Sequence, residues 1–146
     1  MALIITDTIA HLRATAMPPL MKVDGAAELE TLAAGTAPQH GHAFVAPFEE
    51  RGSANTLATG GFRQLVDVTL LVAVVLRASD DPRGARRIDA ADELRIAIES
   101  ALAGWSPDEQ AHLPFEFVAA RSAPQKNGVT WYVQTWRTNR WIESET

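Results

Sequence analysis

Apolar side chains recur with helical spacing in three stretches of the chain. The first stretch covers residues 5–16 and stops before Pro18 and Pro19, and a second, short one covers residues 26–33. The third and longest runs over residues 88–102, with Gly104 at the position where a glycine commonly closes a helix. The pattern therefore predicts two short helices near the start of the chain and one long helix in its second half.

Four further stretches, residues 42–48, 62–78, 115–122 and 129–142, have the composition or the alternation of β-strands. Asn127 and Gly128 provide the strongest two-residue hairpin signal, between the last two strands. Because neighbouring strands are joined by loops or by a tight hairpin, we predict a single α+β domain over residues 1–146. Its antiparallel sheet has about four strands with helices packed on one face, in the order α-α-β-β-α-β-β.

The strand predicted over residues 62–78 is long for a domain of this size. Fully extended, it would span about 56 Å, whereas a globule of 146 residues has a diameter of roughly 40 Å. The strand must therefore bend, break at a bulge, or project as an arm. A projecting arm needs a partner to cover it.

Composition and charge narrow the classes of protein that remain. The chain is 47% apolar and 21% charged, with a net charge of −5, which is globular composition and argues against a general binder of nucleic acid or anionic membrane. The absence of cysteine excludes disulfides, thiolate metal sites and cysteine catalysis. The start of the chain has no basic residue before its apolar stretch, and no apolar run approaches the length of a membrane span. We expect a soluble single domain.

A search for chemistry gives no catalytic constellation. His40 and His42 flank Gly41, but no third metal ligand follows at a recognisable spacing, and turn residues plus a helix start explain the acidic residues between 80 and 93. The common nucleotide-binding, nucleophile and zinc motifs are missing from the sequence. We therefore expect no cofactor, no metal and no enzymatic activity. A small α+β enzyme with an unrecognised site is the weakest of the functional hypotheses.

The final hairpin combines basic and aromatic residues. Residues 121–142 hold four basic residues and no acidic one, which leaves 9 basic and 18 acidic residues in the rest of the chain. Trp131, Tyr132, Trp136 and Trp141 lie among these charges. One interpretation is a module that stacks the bases of single-stranded nucleic acid on these rings. The preferred one is that the rings fill the core on one strand face and an interface on the other, with the basic face docking on an acidic face of an identical neighbour.

An ordered set of short motifs carries a resemblance to a known family. The set consists of residues 55–60 (NTLATG) with Arg63-Gln64 and a long apolar strand, residues 81–84 (DPRG) leading to 92–95 (DELR), residues 102–107 (LAGWSP), residues 114–117 (PFEF) and the tryptophan-rich strand over 129–141. Together these motifs resemble the tail terminator proteins of tailed phages and prophages. The resemblance covers roughly residues 1–143.

The resemblance implies an α+β fold and a structural role without catalysis. It further implies a cyclic homo-oligomer, usually a hexamer, that caps the tail tube and presents a docking surface to the head. The expected partners are the chain itself, the tail tube protein and the head–tail connector protein, with DNA passing through the ring without specific binding and no membrane involved. The expected location is the virion tail, with the host cytoplasm during assembly.

Charge, strand length and loop position select the residues expected at subunit or tail-tube contacts. These residues are Arg51, Asn55, Leu57, Phe62, Arg63, Trp136, Arg137 and Arg140. The polar stretch over residues 49–61 is predicted to be a loop that orders only against a neighbouring subunit or the tail tube.

Overall fold

The computed structural model describes residues 1–27, 39–57, 60–77, 85–124 and 128–144. Within these residues the chain forms two helices and five strands. They are α1 (Ala2–Thr15), β1 (Lys22–Gly25), β2 (His42–Gly52), β3 (Phe62–Arg77), α2 (Ala85–Leu102), β4 (Glu116–Pro124) and β5 (Val129–Ser144). The predicted α+β class is confirmed.

The sheet differs in detail from the predicted four antiparallel strands. Its order is β1-β2-β3-β5-β4, and β1 pairs parallel with β2 while the other three pairs are antiparallel. The prediction missed β1 because this strand has only four residues, of which only Val23 is buried. Residues 26 and 27 of the short helix predicted over 26–33 are not helical, and the rest of that segment lies outside the described residues.

The second strand is longer than predicted. β2 continues to Gly52, so the loop predicted to begin at Glu49 is wrong over its first four residues. The pairing with β3 shifts by one residue at Phe48, after which Glu49 pairs with Thr69 and Gly52 with Val66. A bulge of this kind inserts an unpaired residue and changes the face to which the later side chains point. Because of the bulge, polar and apolar residues do not alternate strictly along β2, and the sequence pattern does not show its second half.

Both helices pack on the same face of the sheet, as predicted. Alternate residues of β3, from Val66 to Leu76, form one core with Leu12 of α1 and Ile98 of α2. This surface of the sheet is called the helix face. The opposite surface, called the open face, carries a second, smaller apolar cluster around Phe44, Val75 and Trp131. Ile88 was expected on the buried stripe of α2, but it is 62% exposed because the buried part of the stripe begins further along the helix, at Leu94.

The aromatic residues of β5 divide between the two faces as the sequence predicts. Tyr132 and Trp136 belong to the core on the helix face, and Trp131 belongs to the cluster on the open face. Gln134 is fully buried between the first two rings: its side-chain nitrogen donates to the Tyr132 hydroxyl, and its oxygen accepts from Trp136 Nε1 at 2.9 Å. The buried amide is thereby satisfied on both sides.

The end of α2 is closed as predicted. Gly104 has a φ of +78°, and its N–H donates to the carbonyl of Phe115. The ring of Trp105 stacks on His11 with a centroid distance of 4.0 Å and also lies beside Phe115. His11 also contacts the carbonyl of Ala101 at 2.8 Å through Nε2. These contacts join the end of α2 to α1.

The long strand does project at one end. β5 pairs with β3 along its whole length, whereas β2 pairs with β3 only from Val66 onward. Val66 is also where the core under the helices ends among the described residues of β3. Residues 53–57, 60–65 and 141–144 therefore extend past the helices and are called the projecting end. No described helix is both long enough and apolar enough to cross a bilayer.

Candidate functional site

The projecting end presents a groove about 580 Å³ in volume. Leu57 and Phe62 supply apolar surface to its lining, and Arg63 and Glu143 supply charge. Leu57 is 41% exposed. The guanidinium of Arg63 lies 3.9 Å from the centroid of the Trp141 ring and contacts Glu143 Oε1 at 3.1 Å. An open surface that mixes exposed leucine with a fixed guanidinium has the composition of a protein-binding patch.

Hydrogen bonds within the subunit order the described part of the loop before β3. The side-chain oxygen of Asn55 accepts from the N–H groups of Leu57 and Arg63, at 3.2 and 2.9 Å. The Thr56 N–H donates to the carbonyl of Arg63, and Gln64 Nε2 donates to the carbonyl of Ser53. Asn55, selected from the sequence as a contact residue, thus holds the loop against β3. Its side chain positions Leu57 and Arg63.

The basic residues of β5 already have acidic partners within the subunit. Arg137 bonds to Glu116 of β4 at 2.9 Å, and Arg140 bonds to Glu50 of β2 at the same distance. The hydrogen bond from Arg140 holds the pKa of Glu50 below its ordinary value, and Glu116 raises the pKa of Arg137. The hairpin is therefore not the free basic face that its composition suggests. Glu50 lies 90 residues from Arg140, and Glu116 lies on β4 just outside residues 121–142, so a count of charges over those residues misses both acids.

Trp136 is removed from the predicted contact set by its burial. Its side chain is fully buried on the helix face. Arg51 is the opposite case, since its side chain is 78% exposed and its only described ion pair is with neighbouring Glu49. Of the predicted contact residues, Asn55, Leu57, Phe62 and Arg63 come together at the projecting end, and Arg51, which pairs with Asp67, lies at its base. Arg140 lies at the base of this end, and Arg137 lies on the open face beside β4.

The outer edge of β4 is a candidate surface that was not predicted from the sequence. Every residue of β4 except Ala123 is exposed. Phe117 and Val118 are 46% and 45% exposed, and Leu113, just before the strand, is 61% exposed. Two adjacent apolar residues on an exposed edge strand favour an interaction surface. The signal available in the sequence was the failure of residues 116–120 to alternate.

Buried polar side chains hold the segment before β4 in place. Asn139 is 4% exposed, and its side-chain oxygen accepts from the Leu113 N–H at 2.8 Å. Thr138 donates from its hydroxyl to the Leu113 carbonyl, and His112 Nδ1 contacts the Asn139 carbonyl at 2.6 Å. Leu113 is thus presented on a fixed backbone, although its side chain faces solvent.

The opposite edge of the sheet is formed by β1 and by the part of β2 beyond it. Asp24 of β1 contacts His42 Nε2 at 2.7 Å and Arg13 at 3.3 Å, and the hydrogen bond with His42 lowers the pKa of Asp24. Beyond β1, the free part of β2 carries Pro47 and the bulged Phe48, which is 60% exposed. Both edges of the sheet therefore expose an aromatic ring.

The histidines act as local structural partners. His40 accepts at Nδ1 from the Arg77 N–H, and His42 lies against Asp24 and Phe44. Within the part of the chain that the structure describes, no group of three or more metal-binding side chains is found.

A similar fold occurs among solved structures. A chain of a solved structure titled "Virion of native gene transfer agent (GTA) particle" is similar in fold, with a TM-score of 0.56, 17% identity and 92% of each chain covered. The domain is therefore of an α+β fold also found in a virion particle. No match was found among curated proteins.

The family is shown by a match over residues 1–146. The family described as "Phage tail terminator protein" matches residues 1–146, and the chain belongs to it. The protein is accordingly a structural component of phage tail assembly, and its place is the virion tail, in association with other tail and virion proteins.

Proposed function

We propose that the protein forms a homohexameric ring that caps the tail tube and provides the surface on which the head is joined. The observation that carries the proposal is the family match over residues 1–146. The likeness of the fold to a chain of a virion particle supports it. The hexamer, the tail tube protein and the head–tail connector protein are what membership of the family implies.

The projecting end supplies the contact with the tail tube. It is the part of the sheet that no described helix covers, and its groove exposes Leu57 beside the fixed guanidinium of Arg63. Because Asn55 already orders the backbone here, little conformational entropy remains to be lost on binding. A preformed apolar surface of this kind suits repeated docking on identical tube subunits.

The geometry does not favour the alternative of a single-stranded nucleic-acid module. Base stacking needs exposed ring faces, but Trp131, Tyr132 and Trp136 are each at most 9% exposed. The fourth aromatic ring of β5, Trp141, is covered on one side by Arg63. The net charge of −5 also suits a ring through which DNA passes without being held.

Tail tube polymerisation tests the proposal. Tube protein encoded by the same phage genome is polymerised with and without the full chain, and tube lengths and ends are measured by negative-stain electron microscopy. We expect closed tube ends and arrested elongation in the presence of the chain. Tubes that elongate equally in both samples, with bare ends, would overturn the capping function.

A matched pair of variants locates the contact on the tube. Leu57→Asp places a charge in the groove of the projecting end and should abolish capping. Leu3→Asp changes an exposed leucine on α1, 70% accessible, and should leave capping intact. Equal capping by both variants would remove the projecting end from the contact.

A further inference from the structure

The two edges of the sheet have complementary surfaces at matching heights along the strands. We infer that the β4 edge of one subunit docks on the β1–β2 edge of the next copy, within the ring of the proposed function on which this inference rests. The β4 edge is defined by Leu113, Phe117, Val118 and Arg121, and the β1–β2 edge by Asp24, Pro47 and Phe48.

Cross-strand registers place the apolar residues of the two edges in one row. Pro47 pairs with Leu70, Leu70 with Trp136, and Trp136 with Phe117. Phe117 therefore ends the row at one edge of the sheet and Pro47 ends it at the other. The bulged residues Phe48 and Val118 immediately follow these two. The apolar patches thus lie at the same height along the strands.

A second row brings opposite charges to matching heights. Asp24 pairs with Phe44, Phe44 with Ala73, Ala73 with Val133, and Val133 with Arg121. Asp24 ends this row at the β1–β2 edge, where its side chain is still one-third exposed although it contacts Arg13, Lys22 and His42 of its own subunit. The exposed Arg121 ends the row at the β4 edge. Opposite charges that accompany matched apolar patches fix the register of a contact.

The partner that docks on each edge is a second copy of the chain, because the two patches lie at the same height along the strands. Subunits of a closed ring are related by rotation without rise, so two different patches meet only where they share a height along the ring axis. With the strands along that axis, Phe117 and Val118 of one copy face Pro47 and Phe48 of the next, and Arg121 faces Asp24. β4 and β2 run in opposite directions in this arrangement, because each adjacent pair from β2 through β5 to β4 is antiparallel.

The contact is packing between side chains. Pro47 has no N–H to donate, and the bulge at Phe48 interrupts the edge of β2, so a continuous ladder of backbone hydrogen bonds is not available there. Exposed aromatic and aliphatic residues then supply the apolar centre of the contact, with the ion pair toward its rim.

Cysteine cross-linking tests the contact in the full-length protein. Because the chain has no cysteine, Phe48→Cys and Val118→Cys each introduce a single thiol at an exposed position. The two variants are oxidised separately and as a mixture, both free and with polymerised tail tube protein. We expect disulfide-linked dimers only in the mixture, in either condition, and a ladder of linked oligomers from the double variant.

Controls separate the possible outcomes. Ile96→Cys on α2 is 53% exposed and should not cross-link with either variant. Arg121→Glu in the Val118→Cys chain should lower the yield of the mixed dimer several-fold. Absence of the mixed dimer in both conditions, equal linking to Ile96→Cys, or dimers of Val118→Cys alone would overturn the inference. Mixed dimers from a chain that leaves tubes uncapped would support this contact and reject the proposed function.

Discussion

Replacement of Gly104 by valine tests how the long helix α2 ends. Gly104 has a φ of +78°, a conformation that side chains with a Cβ rarely adopt. A Cβ at this position meets nothing within 4 Å, so the first side-chain carbon creates no clash with other parts of the chain. The hydrogen bond from its backbone N–H to Phe115 does not depend on the side chain. The whole cost is therefore backbone strain.

The magnitude follows from this conformation. A left-handed backbone costs an ordinary residue about 1–2 kcal/mol, and a β-branched residue stands toward or above the upper end of that range. We expect Gly104→Ala to lower the free energy of unfolding by about 1 kcal/mol and Gly104→Val by about 2–3 kcal/mol. Since 1 kcal/mol corresponds to roughly 2–4 °C for a domain of this size, the valine variant should melt roughly 4–12 °C lower. Asparagine, which tolerates the conformation better, should cost less than alanine.

Urea unfolding followed by circular dichroism measures these differences. The control is Ala103→Val, a change at the exposed neighbouring residue, which should alter stability by less than about 0.5 kcal/mol. If valine at 104 costs no more than valine at 103, the left-handed cap does not limit the end of α2. A loss above about 5 kcal/mol would also contradict the reasoning, since backbone strain alone does not reach that value.

Three further predictions concern contacts between elements. The pKa of Glu50 lies below its ordinary value of 4.5, so the stabilisation from its pair with Arg140 is complete above that pH and is lost as the pH falls through the lowered pKa. Both side chains are about one-third exposed, so Glu50→Gln should cost under about 1 kcal/mol at pH 7 and flatten the acid limb of a stability–pH curve. A double-mutant cycle on His11 and Trp105 should give a coupling of about 0.5–1.5 kcal/mol by urea unfolding, and a coupling near zero would reject the stacked pair. Asn139→Ala should cost about 1–3 kcal/mol by leaving a backbone N–H unpaired, with faster amide exchange over residues 112–115, and unchanged exchange would contradict that role.

The strands that could be predicted are those whose side chains repeat with a simple period. β3 alternates over most of its length because one face meets the helices, and the antiparallel pairing of β4 with β5 agrees with the hairpin predicted for the end of the chain. The closing glycine of α2 was recognisable because only a residue without a Cβ adopts its conformation at low cost. These are local signals, which a single stretch of sequence contains.

The features that could not be predicted depend on contacts between distant residues. β1 forms a strand because its backbone pairs in parallel with β2, and nothing in its four residues indicates that pairing. Arg140 forms an ion pair with Glu50, which lies 90 residues away in the sequence. The bulge at Phe48 interrupts the alternation of β2, so the sequence pattern does not show where this strand ends. Of the predicted contact residues, the basic residues of β5 are therefore paired within the subunit, and the exposed edge of β4 was not predicted.

Cryo-electron microscopy of capped tail tubes tests directly whether the protein forms a hexameric ring on the tube end. The full chain is added to polymerised tube protein, and the tube ends are averaged without imposed symmetry. We expect a hexameric ring on the tube end. The projecting ends of its subunits should face the tube, and each β4 edge should contact the β1–β2 edge of the next copy. Density for isolated copies along the tube wall, or bare tube ends at saturating concentrations of the chain, would contradict this expectation.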